Sequence, residues 1–245
     1  ARDGRHCMFA WVKKVWKKFV KAYTAFSSDD VPGFASISPQ ISRDGLKRKC
    51  RILFVDDEVV DLIDDLRREG FSVDHDMRGD DISNIEKGCF DLVVLDYRGV
   101  GKKYGNNDGL SLLKAIRRVN PAIFVLAYTS ANLPPAVSAD FYKSVDGTLG
   151  KDEGVADSII RIEEALRASL DPARLWGGVL ASLAITPGSK AAYELEQRVM
   201  KAIHAGDREK ARLALGQSVG AVDSTVMSAL VEKLVDVAVG AVLAV

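Results

Sequence analysis

The stretch Asp91-Leu92-Val93-Val94-Leu95-Asp96 decides the fold, because a short apolar run ends abruptly in a carboxylate. A continuous run of Val and Leu is typical of a strand that is buried on both faces in the middle of a parallel sheet. Asp96 would then stand at the C-terminal end of that strand. In open α/β sheets this edge is where ligands bind, so we expect Asp96 to belong to a functional site.

Three other predicted strands end in polar residues in the same way. Because the carboxyl ends of parallel strands meet at one edge of a sheet, we expect these polar residues to lie close to Asp96. The runs and the residues that follow them are 51–55 with Asp56, Asp57 and Glu58, 123–128 with Thr129 and Ser130, and 145–150 with Lys151.

The carboxylates at this edge predict a metal site. Asp56, Asp57 and Asp96 would share one pocket, and like charges in one pocket resist joint ionisation unless a cation offsets them. Mg²⁺ is a hard cation that takes carboxylate, carbonyl and water oxygens as ligands. The sequence therefore favours Mg²⁺ as the cofactor.

The order of these residues along the chain resembles the receiver domain of two-component response regulators, in the CheY-like superfamily. An acid pair, a lone aspartate, a hydroxyl and a lysine follow successive strands over about residues 50–170, roughly half the chain. The resemblance implies an α/β fold with a five-stranded, doubly wound parallel sheet of the flavodoxin-like type. Right-handed β-α-β connections would place helices on both faces of that sheet.

The resemblance also implies a role for each residue. Asp96 would be the nucleophile that accepts a phosphoryl group, Lys151 would bind one phosphoryl oxygen, and Thr129 would hydrogen-bond another after transfer. Such a protein is not a metabolic enzyme, and its chemistry extends at most to self-phosphorylation and self-dephosphorylation at Asp96. The ligands of Mg²⁺ would be Asp57, Asp56 partly through water, Asp96 and the backbone carbonyl of Arg98.

Three features depart from the usual receiver pattern. Thr148 stands where many receivers have an aromatic switch residue, and Asp152 replaces the proline that usually follows the lysine. The loop 97–108 is longer than in most receivers and rich in Gly and Asn, so we expect it to be mobile. An alternative therefore stays open, a phosphorylation-independent pseudo-receiver scaffold.

The N-terminal segment 1–26 predicts an amphipathic helix. Between residues 8 and 26, aromatic and aliphatic side chains fall on one half of a helical wheel and five lysines on the other. Three roles stay open for it: lying on an anionic membrane surface, binding a partner or a second copy, and packing against its own protein. Residues 27–50, with Pro, Gly, Ser and a basic run at 47–49, predict a linker into the receiver domain 51–170.

Residues 171–245 predict an all-α output or dimerisation region. The last helix carries a wide apolar stripe that is interrupted by Glu232, Lys233 and Asp236. That pattern favours packing in a helical bundle or a dimer over a membrane span. No short helix-turn-helix with a basic second helix stands out, so we expect no binding to DNA.

Composition excludes several function classes. Lys+Arg and Asp+Glu both number 34, so the net charge gives no global reason to expect nucleic-acid binding. The three cysteines, Cys7, Cys50 and Cys89, lack metal-site spacing and favour a reduced, cytoplasmic setting. The glycine-rich phosphate loop of P-loop NTPases is missing from the sequence.

Together these patterns predict a phosphorylation-dependent signalling switch. The expected partners are a histidine kinase or phosphotransfer protein upstream, and a protein partner or a second copy bound through the helices downstream. The expected location is cytoplasmic. Peripheral membrane contact through residues 8–26, as in a membrane-surface adaptor, is the open alternative.

Overall fold

A single parallel sheet forms the centre of the molecule. The computed structural model describes residues 30–130, 135–216 and 224–242. The strands are β1 Arg51–Val55, β2 Ser72–Asp76, β3 Leu92–Asp96, β4 Phe124–Thr129 and β5 Gly147–Gly150. They pair in the order β2-β1-β3-β4-β5, with every pair parallel. This is the strand order of flavodoxin-like folds, and it confirms the predicted fold class.

Strand β3 lies in the middle of the sheet. All five of its residues are buried, and it pairs with β1 on one side and β4 on the other. Burial on both faces explains why its sequence is an uninterrupted run of Val and Leu. Asp96 therefore ends a strand that has a neighbour on each side.

Helices cover both faces of the sheet. Side chains alternate between the faces along each strand. Phe54 belongs to a core with apolar residues of α1, α2 and α6, whereas Val55 belongs to a core with residues of α3, α4 and α5. These helices are α1 Arg43–Lys49, α2 Asp61–Arg68, α3 Ser83–Glu86, α4 Asp108–Val119, α5 Pro135–Ser144 and α6 Val155–Ser169.

The described part of the C-terminal region is helical, as predicted. Asp171 caps the first helix by accepting the backbone N–H groups of Ala173 and Arg174. The apolar stripe of the last helix, including Leu234 and Val235, is buried in a core that the helices share. The helices are α7 Pro172–Ser182, α8 Lys190–His204, α9 Arg208–Gly216 and α10 Ser224–Val242.

This helical bundle docks against the N-terminal edge of the sheet, at the opposite end from the predicted site. Arg174 of α7 donates to the carbonyl of Ile123 at 2.9 Å and pairs with Asp146 at 3.3 Å. Lys233 of α10 pairs with Asp91 at 2.5 Å. Because a strand rises about 3.3 Å per residue, a five-residue strand separates the two edges by about 16 Å.

Part of the segment predicted as a linker, 27–50, is buried within the range that the structure describes. Phe34, in a short 3-10 turn at Phe34–Ser36, is buried in the bundle core. Leu46 of α1 is buried in one core of the sheet. The amphipathic helix predicted for 1–26 lies outside the described residues. Within the described ranges, none of the helices is long and apolar enough to cross a membrane.

Candidate functional site

Two strand ends bring three carboxylates together. Val55 and Leu95 pair across β1 and β3, so Asp56, directly after β1, lies beside Asp96. One carboxylate oxygen from each of Asp56, Asp57 and Asp96 lies within 4.8 Å of the other two. The structure thus forms the acidic cluster that the sequence predicted. Strands β1 and β3 are also those between which the strand order reverses, where α/β sheets bind ligands.

Lys151, directly after β5, extends across to two of these carboxylates. Its Nζ lies 2.7 Å from Oδ2 of Asp56 and 3.1 Å from Oδ2 of Asp96. The ammonium also lies over the ring of Tyr128, 5.2 Å from the centroid, in a cation–π contact. One lysine therefore bridges two carboxylates at the edge of the sheet.

The two oxygens of Asp56, which is fully buried, have different surroundings. Oδ1 accepts the backbone N–H of Glu58 at 2.9 Å. Oδ2 is buried without a partner in hydrogen-bonding geometry, and the ammonium of Lys151 compensates it only as an ion pair. A buried carboxylate oxygen with a free lone pair is the kind of atom that a divalent cation satisfies. The residues present therefore fit Mg²⁺.

The ionisation of the cluster reflects its burial. Burial raises the pKa of Asp96 above its ordinary value; Lys151 opposes this shift and Asp56 adds to it. Burial tends to lower the pKa of Lys151, but the contacts of its ammonium with Asp56 and Asp96 outweigh burial and leave that pKa raised. The lysine is therefore charged at neutral pH. Three carboxylates facing one ammonium make a site that favours a further cation.

Asp57 is the exposed member of the cluster, and Gly99 lies against it. Gly99 follows β3 with a φ of +73°, and a β-carbon at that position would collide with the carboxylate of Asp57. Both the backbone conformation and the lack of space require glycine there. Arg98 directly precedes Gly99, so its backbone lies next to the residue that contacts Asp57. The backbone carbonyl of Arg98 stays a predicted metal ligand.

Thr129 lies at the same edge, with its hydroxyl turned toward its own loop. Asp96 pairs with Tyr128 across β3 and β4, so Thr129 is one residue further along the rim. Its Oγ1 donates to the carbonyl of Ser130 at 2.9 Å, and its own carbonyl accepts the N–H of Lys151 at 3.1 Å. Its role toward a phosphoryl group stays a prediction.

His75 touches the site, although the sequence analysis did not single it out. It lies opposite Phe54 in the pairing of β2 with β1. Its Nε2 is 2.9 Å from the backbone carbonyl of Asp56, which it can bind when that nitrogen carries the proton. The sequence does show a histidine near the end of β2. Its contact with Asp56 could be predicted only from the register of β2 against β1.

Tyr97 is a second residue of the site that the sequence analysis did not identify. Its backbone N–H donates to Oδ1 of Asp96 at 2.7 Å. Its ring packs edge-on against the fully buried Phe141 of α5, with 5.2 Å between centroids. Thr148, at the position where receivers usually carry an aromatic residue, is exposed. An aromatic residue thus connects the rim to α5 from the end of β3 rather than from β5.

The loop 97–108 contacts the loop after β2, and its expected mobility stays a prediction. Val100 is fully buried, and a 3-10 turn forms at Lys102–Tyr104. The loop after β2 provides partners that the sequence could not indicate. The bonds between the two loops are the N–H of Gly101 to the carbonyl of Arg78 at 2.7 Å and the hydroxyl of Tyr104 to the carbonyl of Asp80 at 3.1 Å.

A cavity of about 300 Å³ opens beside the buried end of the cluster. Asp56 and Lys151 line its inner side, and Asp61 and Asp65 of α2 line its wall. Val59, on the same cavity, is 84% exposed. Lys151 therefore borders this opening, whereas the carboxylate of Asp56 behind it is buried.

No family model and no curated protein matches the sequence. A CheY-like response regulator receiver domain protein from Methanospirillum hungatei JF-1 is 22% identical, with 49% of this chain and 95% of that chain covered and a TM-score of 0.42. A two-component response regulator from Clostridium difficile is 23% identical, with 49% and 97% covered and a TM-score of 0.41.

The receiver domain of NtrX from Brucella abortus is 25% identical, with 47% of this chain and 97% of that chain covered and a TM-score of 0.40. Each of these matches covers about half of this chain. This similarity concerns the fold. The chemistry of the site follows from its own carboxylates and lysine.

Proposed function

We propose that this protein is a phosphorylation-dependent signalling switch of the two-component type, in which Asp96 accepts the phosphoryl group. The observation that carries the proposal is the position of Lys151, whose ammonium bridges Asp56 and Asp96 at 2.7 and 3.1 Å. An ammonium in that place can neutralise negative charge on an arriving phosphoryl group.

Mg²⁺ is the cofactor that the donor set fits best. Asp56, Asp57 and Asp96 would hold it, with the backbone carbonyl of Arg98 as a further ligand. When bound, the ion would neutralise charge on the transferring group. The free lone pair on Oδ2 of Asp56 and the excess of carboxylates over ammonium groups support this assignment.

Asp96 has the surroundings of a nucleophile. One of its carboxylate oxygens would form a bond to phosphorus as the bond between phosphorus and the donor's leaving group breaks, with the electron pair departing on that group. The product is an acyl phosphate. The N–H of Tyr97 holds the carboxylate in orientation through Oδ1, while Lys151 faces Oδ2. Positioning and charge neutralisation would therefore supply the catalysis.

The phosphoryl group would change the partners of two residues. It adds a charge of about −1.5 to −2 and strong acceptor oxygens. Lys151 would exchange its contact with Asp96 for a phosphoryl oxygen, and the hydroxyl of Thr129 would leave the carbonyl of Ser130 to donate to another. Both changes draw the ends of β4 and β5 toward Asp96, which supplies the two arrangements that a switch needs.

The proposal assigns parts of the chain to different tasks. Residues 51–170 form the phosphoryl-accepting unit, because Leu170 still belongs to the core of the sheet whereas Asp171 caps the first helix of the bundle. Residues 171–245 would bind a downstream protein partner or a second copy. The phosphoryl donor would be a histidine kinase or a phosphotransfer protein, and any turnover is limited to self-phosphorylation and self-dephosphorylation at Asp96.

Labelling with acetyl phosphate tests this proposal. The purified wild type, incubated with acetyl phosphate and Mg²⁺, should gain the mass of one phosphoryl group, and chelation of Mg²⁺ should prevent this. Asp96→Asn should gain none. Asp74→Asn is the matched control, because Asp74 is an exposed strand carboxylate that pairs with Arg51 away from the cluster. Equal labelling of Asp96→Asn and the wild type would refute Asp96 as the acceptor.

A further inference from the structure

Residues 30–37, here called the strap, lie across α7 and α8 of the bundle as a ligand lies in a groove. Three residues of α8 contact the strap, and their i, i+3, i+4 spacing places them on one face of that helix. From α7, Trp176 packs against Phe34 of the strap with 5.1 Å between ring centroids. The groove thus has one polar wall and one aromatic wall. The α8 residues are Tyr193, Glu196 and Gln197.

The polar wall binds the main chain of the strap. Oε1 of Gln197 accepts the N–H of Val31 and its Nε2 donates to the carbonyl of Val31, both at 3.0 Å. Oε1 of Glu196 accepts the N–H of Phe34 at 2.8 Å. These are the bonds that an extended peptide makes with a receptor that binds its backbone.

Both polar residues are part of the bundle interior. Glu196 is 3% exposed and Gln197 is 9% exposed. Buried polar side chains are normally hydrogen-bonded, and here main-chain groups of the strap supply bonds to both of them. The groove is therefore built around the main chain of the strap at Val31 and Phe34.

The groove also selects side chains. Phe34 is fully buried, and a β-carbon at Gly33 would lie 2.5 Å from Oε1 of Glu196, so a larger residue there requires the Glu196 carboxylate or the strap to move. The hydroxyl of Tyr193 donates to the carboxylate of Asp30. The recognised pattern is an acidic residue, an aliphatic residue and then Gly-Phe, present here as Asp30-Val31-Pro32-Gly33-Phe34.

We propose that this groove is an exchangeable peptide-recognition site, and that the strap of a second copy of the chain can replace the chain's own. The strap hydrogen-bonds to α8 and packs on Trp176 of α7, whereas α1, which follows it, is held separately in the core of the sheet through Leu46. The connection between them contains Ser38 and Gln40, both exposed. Because the incoming strap is identical, exchange preserves every contact, as in domain swapping.

Exchange of the strap would also move the N-terminal segment from one copy of the chain to the other. The strap follows the amphipathic sequence at residues 8–26 after three residues, and it would carry that sequence to the second copy. This inference goes beyond the switch at Asp96 and does not depend on it. A failure of phosphoryl transfer would leave it unaffected.

The intact chain protects its own groove. A tethered segment competes at an effective concentration in the millimolar range, so a free peptide should bind the wild type weakly. Phe34→Ala removes the buried ring from the tethered strap and leaves the groove residues unchanged. The full-length Phe34→Ala chain is therefore the receptor for the test.

The probe is a fluorescent peptide with the unaltered sequence of residues 28–40, and the readout is fluorescence anisotropy. The Phe34→Ala chain should bind it saturably, at least tenfold more tightly than the wild type does. A peptide that itself carries Phe34→Ala should not bind. Adding Gln197→Ala to the receptor should weaken binding at least tenfold, whereas adding Glu194→Ala, on the 56% exposed Glu194 of the same helix, should not.

Mixing two full-length variants tests the second copy directly. Gln197→Ala has an intact strap and a damaged groove, and Phe34→Ala has the reverse. Their mixture should form a heterodimer, measured by light scattering after size exclusion, that neither variant forms alone. The absence of such a heterodimer overturns the second copy as occupant.

Folding of the receptor is checked by circular dichroism and thermal unfolding. If Phe34→Ala is unfolded, Gly33→Ala replaces it, because its methyl group displaces the strap without removing a buried ring. A folded receptor without saturable binding overturns the proposal, and so does binding that survives Gln197→Ala. If both variants are unfolded, the strap is a fixed part of the bundle core and the proposal is wrong.

Discussion

Lys151 and Asp96 are 55 residues apart in the chain, yet Nζ of the lysine lies 3.1 Å from Oδ2 of the aspartate. The parallel sheet produces this contact, because the strands that carry them end at the same edge. The same ammonium pairs with the fully buried Asp56. The proposed chemistry and the stability of the unliganded protein therefore depend on one side chain.

Lys151→Ala should destabilise the metal-free protein by about 3 kcal/mol, because it leaves buried carboxylates without their counter-charge. The side chain of Lys151 is 24% exposed, so the loss of stability should lie at the lower end of the range for broken buried ion pairs. Mg²⁺ should restore part of the loss by supplying positive charge. Urea unfolding with and without Mg²⁺ measures both effects.

Lys190→Ala is the control for that experiment, since Lys190 is 84% exposed in a surface pair with Glu194. It should change the free energy of unfolding by less than about 0.5 kcal/mol. A loss in Lys151→Ala no larger than in this control would contradict the assigned role of the ion pair.

Asp96→Asn should raise the melting temperature of the metal-free protein at neutral pH. The pKa of Asp96 is raised by burial, so the folded state binds its proton more tightly than the unfolded state does. The stabilisation that this proton gives is present at low pH and is lost as pH rises through the folded pKa. Asn resembles the protonated form at every pH, so the gain should shrink toward pH 4.

Calorimetry over pH 4 to 8 tests this sign, with each 1 kcal/mol moving the melting temperature by roughly 2–4 °C. Mg²⁺ should then stabilise the wild type more than Asp96→Asn, because the variant lacks one of the carboxylates. A melting temperature of Asp96→Asn below that of the wild type at pH 7 without metal would contradict the account.

Tyr97→Ala should disconnect α5 from the site. The backbone N–H of Tyr97 binds Oδ1 of Asp96, and its ring packs against Phe141 of α5. With beryllofluoride and Mg²⁺, the hydrogen exchange of α5 amides should change in the wild type and in Tyr97→Phe, which keeps the ring. In Tyr97→Ala the change should be lost while beryllofluoride still binds. An unaltered response in Tyr97→Ala would show that the signal takes another route.

Arg174→Ala should loosen the bundle from the sheet. The guanidinium is buried between the backbone carbonyl of Ile123 and the carboxylate of Asp146, and burial lowers its pKa while Asp146 opposes the shift. Its removal takes a donor from the backbone carbonyl of Ala122, whereas Arg117 still binds Ile123 and Asp146, so the expected cost is about 2 kcal/mol. Denaturant unfolding measures this. Arg208→Ala, at a surface pair with Asp236, should cost less than about 1 kcal/mol, and similar losses in the two variants would be inconsistent with the docking.

Much of the site follows from the sequence because strand ends in a parallel sheet are local features. The buried run 92–95 indicates its own strand, and the polar residue after it must lie at the rim. His75 and Tyr97 require more, namely the register of β2 beside β1 and the packing of α5. Neither the strand register nor the packing of α5 can be inferred from a periodic pattern in the sequence.

Outside the sheet, the sequence predicts that the C-terminal region is helical, but not where the helices pack against the sheet. Helical periodicity and the cap at Asp171 indicate the bundle, whereas its docking edge depends on pairs such as Lys233 with Asp91, which are distant in the chain. The strap was expected to be a linker because Pro32-Gly33 is typical of loops. Its seating depends on partners more than 160 positions away, such as Glu196 for Phe34.

The most direct test of the central claim is the binding of beryllofluoride, a phosphoryl mimic, to the purified full-length protein, measured by calorimetric titration in the presence and absence of Mg²⁺. The account predicts saturable binding of one equivalent that requires Mg²⁺, is abolished in Asp96→Asn and persists in Asp74→Asn. Binding that is equal in Asp96→Asn, or no binding by the folded wild type with Mg²⁺ present, would contradict a phosphoryl switch at Asp96.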